Sequence, residues 1–218
     1  MNINPNNITV KRTARYFING VDFEKAETVW FLLHGYGQLA ENFIKKFQIL
    51  DDGKTLLAAP EALSRFYTDD IFGKIGASWM TREERENEIE DYVSYLNDIY
   101  DGIKKLLNGR NVKLNIFGFS QGTATACRWL QRGNVKAENL VLWGGFLPPD
   151  FEIENWNASF NSLFIVTGSR DGYLPPEKLA EGEKVLNEKG VKYSAKIFEG
   201  GHEMKESVVN SVLKEFLL

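Results

Sequence analysis

Gly118-Phe119-Ser120-Gln121-Gly122 carries the pattern Gly-x-Ser-x-Gly. An apolar run with Leu114, Ile116 and Phe117 precedes it, and a helix-like stretch, Thr123 to Leu130, follows at once. A serine at such a strand-to-helix turn is a nucleophile candidate. The turn is sharp enough to strain the serine backbone, and it demands small neighbours two residues away. The next backbone N–H, that of Gln121, opens a helix, where partial positive charge favours an oxyanion. The bare pattern arises by chance about a tenth of a time in a chain this long, so its weight depends on what else the chain supplies.

A serine hydroxyl needs a base to take its proton and an acid to orient that base. The chain has two histidines. His202, in Glu199-Gly200-Gly201-His202, follows the last expected strand and precedes the last expected helix, which suits the order Ser…Asp…His. Asp171 ends Gly168-Ser169-Arg170-Asp171, 51 residues after Ser120 and 31 before His202. That spacing leaves room for a strand–helix unit on each side. Asp150, and more remotely Asp69 and Asp70, are rival acids. His34 precedes the serine and breaks the order, so it is expected to brace a loop through ring hydrogen bonds.

That loop, His34-Gly35-Tyr36-Gly37, should supply the second oxyanion donor, the backbone N–H of Tyr36 beside that of Gln121. A rival reading exists. Gly35-x-Gly37-x-x-Ala40 is a variant dinucleotide-binding pattern, with Glu61 near the place where such a site wants an acid. It leaves Ser120, Asp171 and His202 unexplained. Neither histidine has the His-x-His or His-Glu-x-x-His spacing of a metal site, and no cofactor is expected.

These groups need a scaffold. Thr28–Leu33 (TVWFLL) and Thr55–Ala59 read as strands buried on both faces. Ile8–Val10 and Tyr16–Ile18 read as short early strands. Leu39, Phe43, Phe47 and Leu50 recur at helical spacing. Ser64 to Thr81 is aromatic and has no clear period. Helices are expected at 83–107, 121–132, 176–189 and 203–217, strands at 112–117, 139–143, 162–167 and 192–198, and a loop at 144–161. The acidic start Glu83, Glu84, Glu86 and Glu88 suits a helix N-terminus on a solvated face. Alternating strands and helices predict an α/β fold, a mostly parallel sheet with helices on both faces and ligands at the strand carboxyl ends.

The 218 residues are 43% hydrophobic and 26% charged, as expected of one globular domain. The expected organisation is one domain over 1–218 without a large cap, the segment 60–82 forming a small lid or pocket wall. A net charge of −4 argues against nucleic acid or an anionic membrane surface as partner. The single cysteine, Cys127, excludes an intrachain disulfide and reads as buried filler. No signal-peptide pattern and no run of about 20 apolar residues occurs, so a cytoplasmic location without membrane insertion is expected.

Together, Leu33-His34-Gly35-Tyr36-Gly37, Gly118-Phe119-Ser120-Gln121-Gly122, Gly168-Ser169-Arg170-Asp171-Gly172-Tyr173-Leu174-Pro175 and Gly201-His202 resemble the phospholipase/carboxylesterase family. These are compact α/β-hydrolases that include the acyl-protein thioesterases. Ser78-Trp79 and Phe146-Leu147-Pro148 fit as well, and the resemblance covers roughly 28–218. It implies ester or thioester hydrolysis with Ser120 as nucleophile, His202 as base, Asp171 as acid, and Tyr36 and Gln121 as oxyanion donors. Gln38 stands where the family often has Asp, and Thr123 replaces a frequent third glycine. Trp79, Phe146, Leu174, Met204 and the stretch Phe66–Phe72 are expected to line an apolar acyl pocket. A non-catalytic ligand-binding protein on the same scaffold is the alternative.

Overall fold

The computed structural model describes residues 3–70, 72–152 and 159–215. Seven strands form one sheet: β1 (Tyr16–Gly20), β2 (Thr28–Leu33), β3 (Thr55–Pro60), β6 (Lys113–Phe119), β7 (Ala137–Trp143), β8 (Phe160–Gly168) and β9 (Tyr193–Phe198). Their order is β1-β3-β2-β6-β7-β8-β9. Only the edge strand β1 runs antiparallel, against β3. The helices are α1 (Ala40–Ile44), continued by a 3-10 helix at Lys45–Leu50, then α2 (Arg85–Leu106), α3 (Gln121–Arg132), α4 (Pro176–Glu188) and α5 (Glu206–Lys214).

Strand β2 shows why helices cover both faces. Val29, Phe31 and Leu33 join a cluster with Ile89 and Tyr92 of α2, Trp129 of α3 and Leu179 of α4. Trp30 and Leu32 point the other way, to Phe43 of α1, Phe47, and Val209 and Leu213 of α5. Alternate side chains of a strand face opposite sides of the sheet, so a continuous apolar run needs cover on both. Because β6, β7, β8 and β9 are neighbours and parallel, the segments after their carboxyl ends converge on one edge of the molecule.

Several expectations shift. Ile8–Val10 forms no strand with the described residues, and Ile8 and Val10 stay exposed. The Leu39–Leu50 run splits at Phe47, whose φ of −111° and ψ of 20° leave the helical region, yet Phe43, Phe47 and Leu50 are still buried by their spacing. The aperiodic aromatic segment folds into a hairpin, β4 (Ser64–Tyr67) with β5 (Ile75–Ser78). The hairpin is tied to the loop after β2 by Gly37 N–H to Ala77 O (2.9 Å) and Ala77 N–H to Gln38 O (3.1 Å). The end of the expected last helix (216–217) and the middle of loop 144–161 lie outside the described residues. No described helix is long and apolar enough to cross a membrane.

The segment after β2 is held from inside by His34, which is fully buried. Its Nδ1 lies 2.8 Å from Gly35 O, and its Nε2 accepts from the Ala62 N–H at 3.1 Å. Those partners require a neutral ring with the proton on Nδ1. Burial drives its pKa down to about 4, against smaller upward pulls from Gly35 O and Glu61.

Between pH about 6.5 and 4 the unfolded chain binds a proton at His34 that the folded chain excludes, so stability falls as pH drops through that window. Urea midpoints measured from pH 7 to 4.5 should reveal a loss of up to about 3 kcal/mol, and His34→Gln, although less stable at pH 7, should lack that component. A Cβ at Gly122 would lie 2.1 Å from Leu33 O, whereas one at Gly102 in α2 meets nothing within 4 Å. Gly122→Ala should cost about 3 kcal/mol or more in urea unfolding, and Gly102→Ala should gain up to about 1 kcal/mol.

Candidate active site

Ser120 joins β6 to α3 with φ 53° and ψ −116°, a conformation that costs a side-chain-bearing residue about 1–3 kcal/mol. Its surroundings enforce it. The Ser120 N–H donates to Trp143 O at 2.8 Å, and Ser120 O accepts from the Thr123 N–H at 3.0 Å and from Thr123 Oγ1 at 2.7 Å. The flanking glycines are required by contact: a Cβ on Gly118 would sit 2.4 Å from Gly122 O. Thr123, where the family often has glycine, uses its hydroxyl on the turn and fills the space beside Gly145.

Asp171 follows β8 and His202 follows β9. Ser120 Oγ lies 2.8 Å from His202 Nε2, and His202 Nδ1 lies 2.9 Å from Asp171 Oδ2 and 3.1 Å from Oδ1. Asp171 is 2% exposed, and its Oδ1 also accepts the N–H groups of Tyr173 (2.8 Å) and Leu174 (3.0 Å). A buried carboxylate with this many donors is held rigidly. The His202 ring stacks on Phe119 at 5.1 Å and packs against Tyr173 at 4.5 Å. Gly144 closes a further side: a Cβ there would lie 3.0 Å from His202 Cε1. Gly144 was not singled out from the sequence; the signal was a Gly-Gly pair just past the carboxyl end of β7.

The two expected oxyanion donors, Tyr36 and Gln121, belong to segments that border the same cleft as Ser120. As the first residue of α3, Gln121 has a backbone N–H without an acceptor inside its helix. The Tyr36 N–H has no protein acceptor among the described residues. Its neighbour Gly35 is packed so closely that a Cβ would lie 3.2 Å from Ser120 Cβ. Gln38 turns this loop by accepting the Gly35 N–H on Oε1 at 2.9 Å, so the residue that departs from the family's frequent Asp still supplies an acceptor oxygen. The Gln121 side chain fastens the turn to the hairpin. Its Oε1 accepts the Trp79 N–H (3.0 Å), and its Nε2 donates to Met80 O (2.8 Å).

A cleft of about 1260 Å³ opens over Ser120 and His202, with Phe146, Leu147, Leu174 and Val185 on its walls and Tyr36 and Tyr173 also lining it. Of the residues expected to line an acyl pocket, Phe146 and Leu174 border this cleft, whereas Trp79 and Met204 lie away from it. Trp79 is buried, donating its indole N–H to His34 O at 2.8 Å. Met204 packs against the core cluster on the face of α1 and α5. Of the Phe66–Phe72 stretch, Phe66 reaches the site indirectly, its ring packed at a tilt against Tyr36 at 5.0 Å, while Phe72 is exposed.

The rival acids are engaged elsewhere. Asp150 takes two bonds from Arg128 (2.9 and 2.8 Å) and an ion pair from Arg85 at 2.8 Å. The Arg128 hydrogen bonds hold its carboxyl well below the usual range. Asp70 caps the hairpin turn by accepting the Phe72 N–H. Glu61, the acid of the dinucleotide reading, is buried under bonds from Arg15 and Arg65. Burial pushes the Cys127 thiol far up, leaving it unreactive at neutral pH. Among the described residues, no three His, Cys, Asp or Glu side chains gather in a way that could hold a metal ion.

Solved structures share this architecture. A phospholipase/carboxylesterase from Dyadobacter fermentans aligns with a TM-score of 0.70 at 19% identity, covering 97% of this chain and 100% of that one. The acyl-protein thioesterase 2 of Zea mays aligns at 0.69 and 17% identity, covering 94% and 98%. A Bacillus cereus carboxylesterase aligns at 0.71 and 16%, covering 93% of each chain. At such identities the likeness speaks for the fold, the α/β-hydrolase fold. No curated protein sequence matches the chain. The sequence profile of the phospholipase/carboxylesterase family, however, matches residues 21–217, and the chain therefore belongs to the phospholipase/carboxylesterase family.

Proposed function

We propose that this protein is a serine hydrolase that cleaves carboxylic esters or thioesters through an acyl-enzyme. The observation that carries this reading is the unbroken line of hydrogen-bonded groups from Ser120 Oγ through His202 to a buried Asp171. With the Nδ1 proton held by Asp171, His202 Nε2 is free to accept the Ser120 proton. Ser120 Oγ attacks the carbonyl carbon, and the oxyanion falls to the N–H groups of Tyr36 and Gln121. The tetrahedral adduct collapses, the C–O or C–S bond breaks, and His202 returns the proton to the departing alcohol or thiol. Water, deprotonated by His202, then attacks the acyl-enzyme; collapse releases the acid and restores the Ser120 hydroxyl. Each step uses side chains and backbone of this chain.

The acyl group is assigned to the apolar walls, Phe146, Leu147, Leu174 and Val185. The walls belong to the loop after β7, to the turn after Asp171 and to α4, so they surround the nucleophile from the same strand ends that carry it. A non-catalytic binding role would need only the cleft, and it gives no reason for the strained Ser120 or for the buried carboxylate behind His202.

Two outcomes are expected in an assay with p-nitrophenyl esters and matching thioesters. Ser120→Ala should lower kcat/KM by 10⁴-fold or more, and Asp171→Asn by about 10⁴-fold, since the imidazole then loses its orienting carboxylate. A Ser120→Ala protein that still turns over esters defeats the nucleophile assignment. Across straight acyl chains, kcat/KM should rise by up to about fourfold per added methylene until the walls end, as expected for apolar burial. A preference for charged or sugar acyl groups would contradict the apolar wall.

A further inference from the structure

We propose that Tyr173 is a positioning residue for the base, holding the His202 ring in place and stabilising its protonated form; this rests on the serine-hydrolase reading above. Tyr173 touches both partners of the pair. Its backbone N–H donates to Asp171 Oδ1 at 2.8 Å, and its ring centroid lies 4.5 Å from that of His202, at 49°. The other ring on the imidazole, Phe119 at 5.1 Å and 27°, is buried in the core, whereas Tyr173 is 75% exposed. A large aromatic kept in solvent gains little from burial, so burial is not what holds Tyr173 against His202.

The chain fixes that place. Asp171 Oδ1 accepts from both Tyr173 and Leu174, and the buried Leu174 is tied down in turn by Thr167 Oγ1, which donates to its carbonyl at 2.7 Å. The acid that orients the base thus also aims the ring that covers it. The imidazole has Ser120 at Nε2, Asp171 at Nδ1 and Gly144 beside Cε1. Phe119 and Tyr173 are the rings packed against it, and of the two only Tyr173 stands at the solvent side. When Ser120 attacks, His202 gains a positive charge, and an aromatic ring within about 6 Å attracts a cation. The Tyr173 hydroxyl has no partner among the described residues, so the ring, not the hydroxyl, carries the effect.

The test compares Tyr173→Ala and Tyr173→Phe, together with Ser120→Ala, on a short p-nitrophenyl ester. Tyr173→Ala should lower kcat about fivefold with KM within about twofold, and Tyr173→Phe should stay within about twofold of the wild type in both. Histidine-labelled protein gives a second readout, simple because only two histidines exist. The His202 Nδ1 proton signal should persist in the wild type and the Phe variant and broaden in the Ala variant. A raised KM with unchanged kcat, a Phe variant as impaired as Ala, or an unchanged His202 signal in Tyr173→Ala would each overturn the role. Turnover by Ser120→Ala would instead sink the serine-hydrolase reading, while the histidine spectra still report on Tyr173.

Discussion

The site depends on a contact between backbones. Where β6 turns into α3, Gly122 lies so close to β2 that a Cβ would meet Leu33 O at 2.1 Å, and Gly118 lies equally tight against Gly122. With no side chain at either position, β6 can pass into α3 in a single residue. That residue, Ser120, takes a positive φ. The strain is local and modest, about 1–3 kcal/mol, and it is outweighed by the packed strands on either side. It lifts the hydroxyl above the sheet edge toward the segments after β8 and β9. The same close approach carries the β2 loop, with Gly35 and Tyr36, to the serine.

Around this contact the structure spends buried polar groups on rigidity. His34 spans Gly35 and Ala62, Trp79 reaches His34 O, and Gln121 holds the Trp79 N–H and Met80 O. These bonds join β2, β5 and α3 into one brace beneath the proposed oxyanion donors. Each is satisfied at both ends, which is the condition under which buried polar groups fix a conformation instead of weakening the core. On the far side, Asp171 plays the matching part, binding His202 and two backbone N–H groups at once. A preorganised set of donors lowers the work of reorganisation during acyl transfer.

Much of this was legible in the residues. GFSQG announced its turn because few sequences place two glycines so, and the scarcity of histidines narrowed the proposed base to His202. The β-α alternation gave the sheet, because β2, β6 and β7 are apolar on both faces. The pocket was less legible. Trp79 follows the hairpin and its indole finds a carbonyl behind the loop, and periodicity does not say which way a side chain leaves an irregular segment. Met204 stands two residues past His202 and turns into the core. The β4–β5 hairpin was hidden because its strands are four residues long and one is stabilised by a bridge to Gln38, a tertiary contact that no local pattern encodes. Gly144 and Tyr173 acquire meaning only once β7 and β8 are known to be neighbours.

The central claim is that Ser120 is an activated nucleophile in the folded protein. Treating the native protein with a fluorophosphonate and mapping the adduct by mass spectrometry tests it without knowledge of the substrate. The account predicts one adduct per chain, on Ser120, lost in His202→Ala and after unfolding in urea. No adduct on the native wild type, or an adduct on another residue, would contradict it.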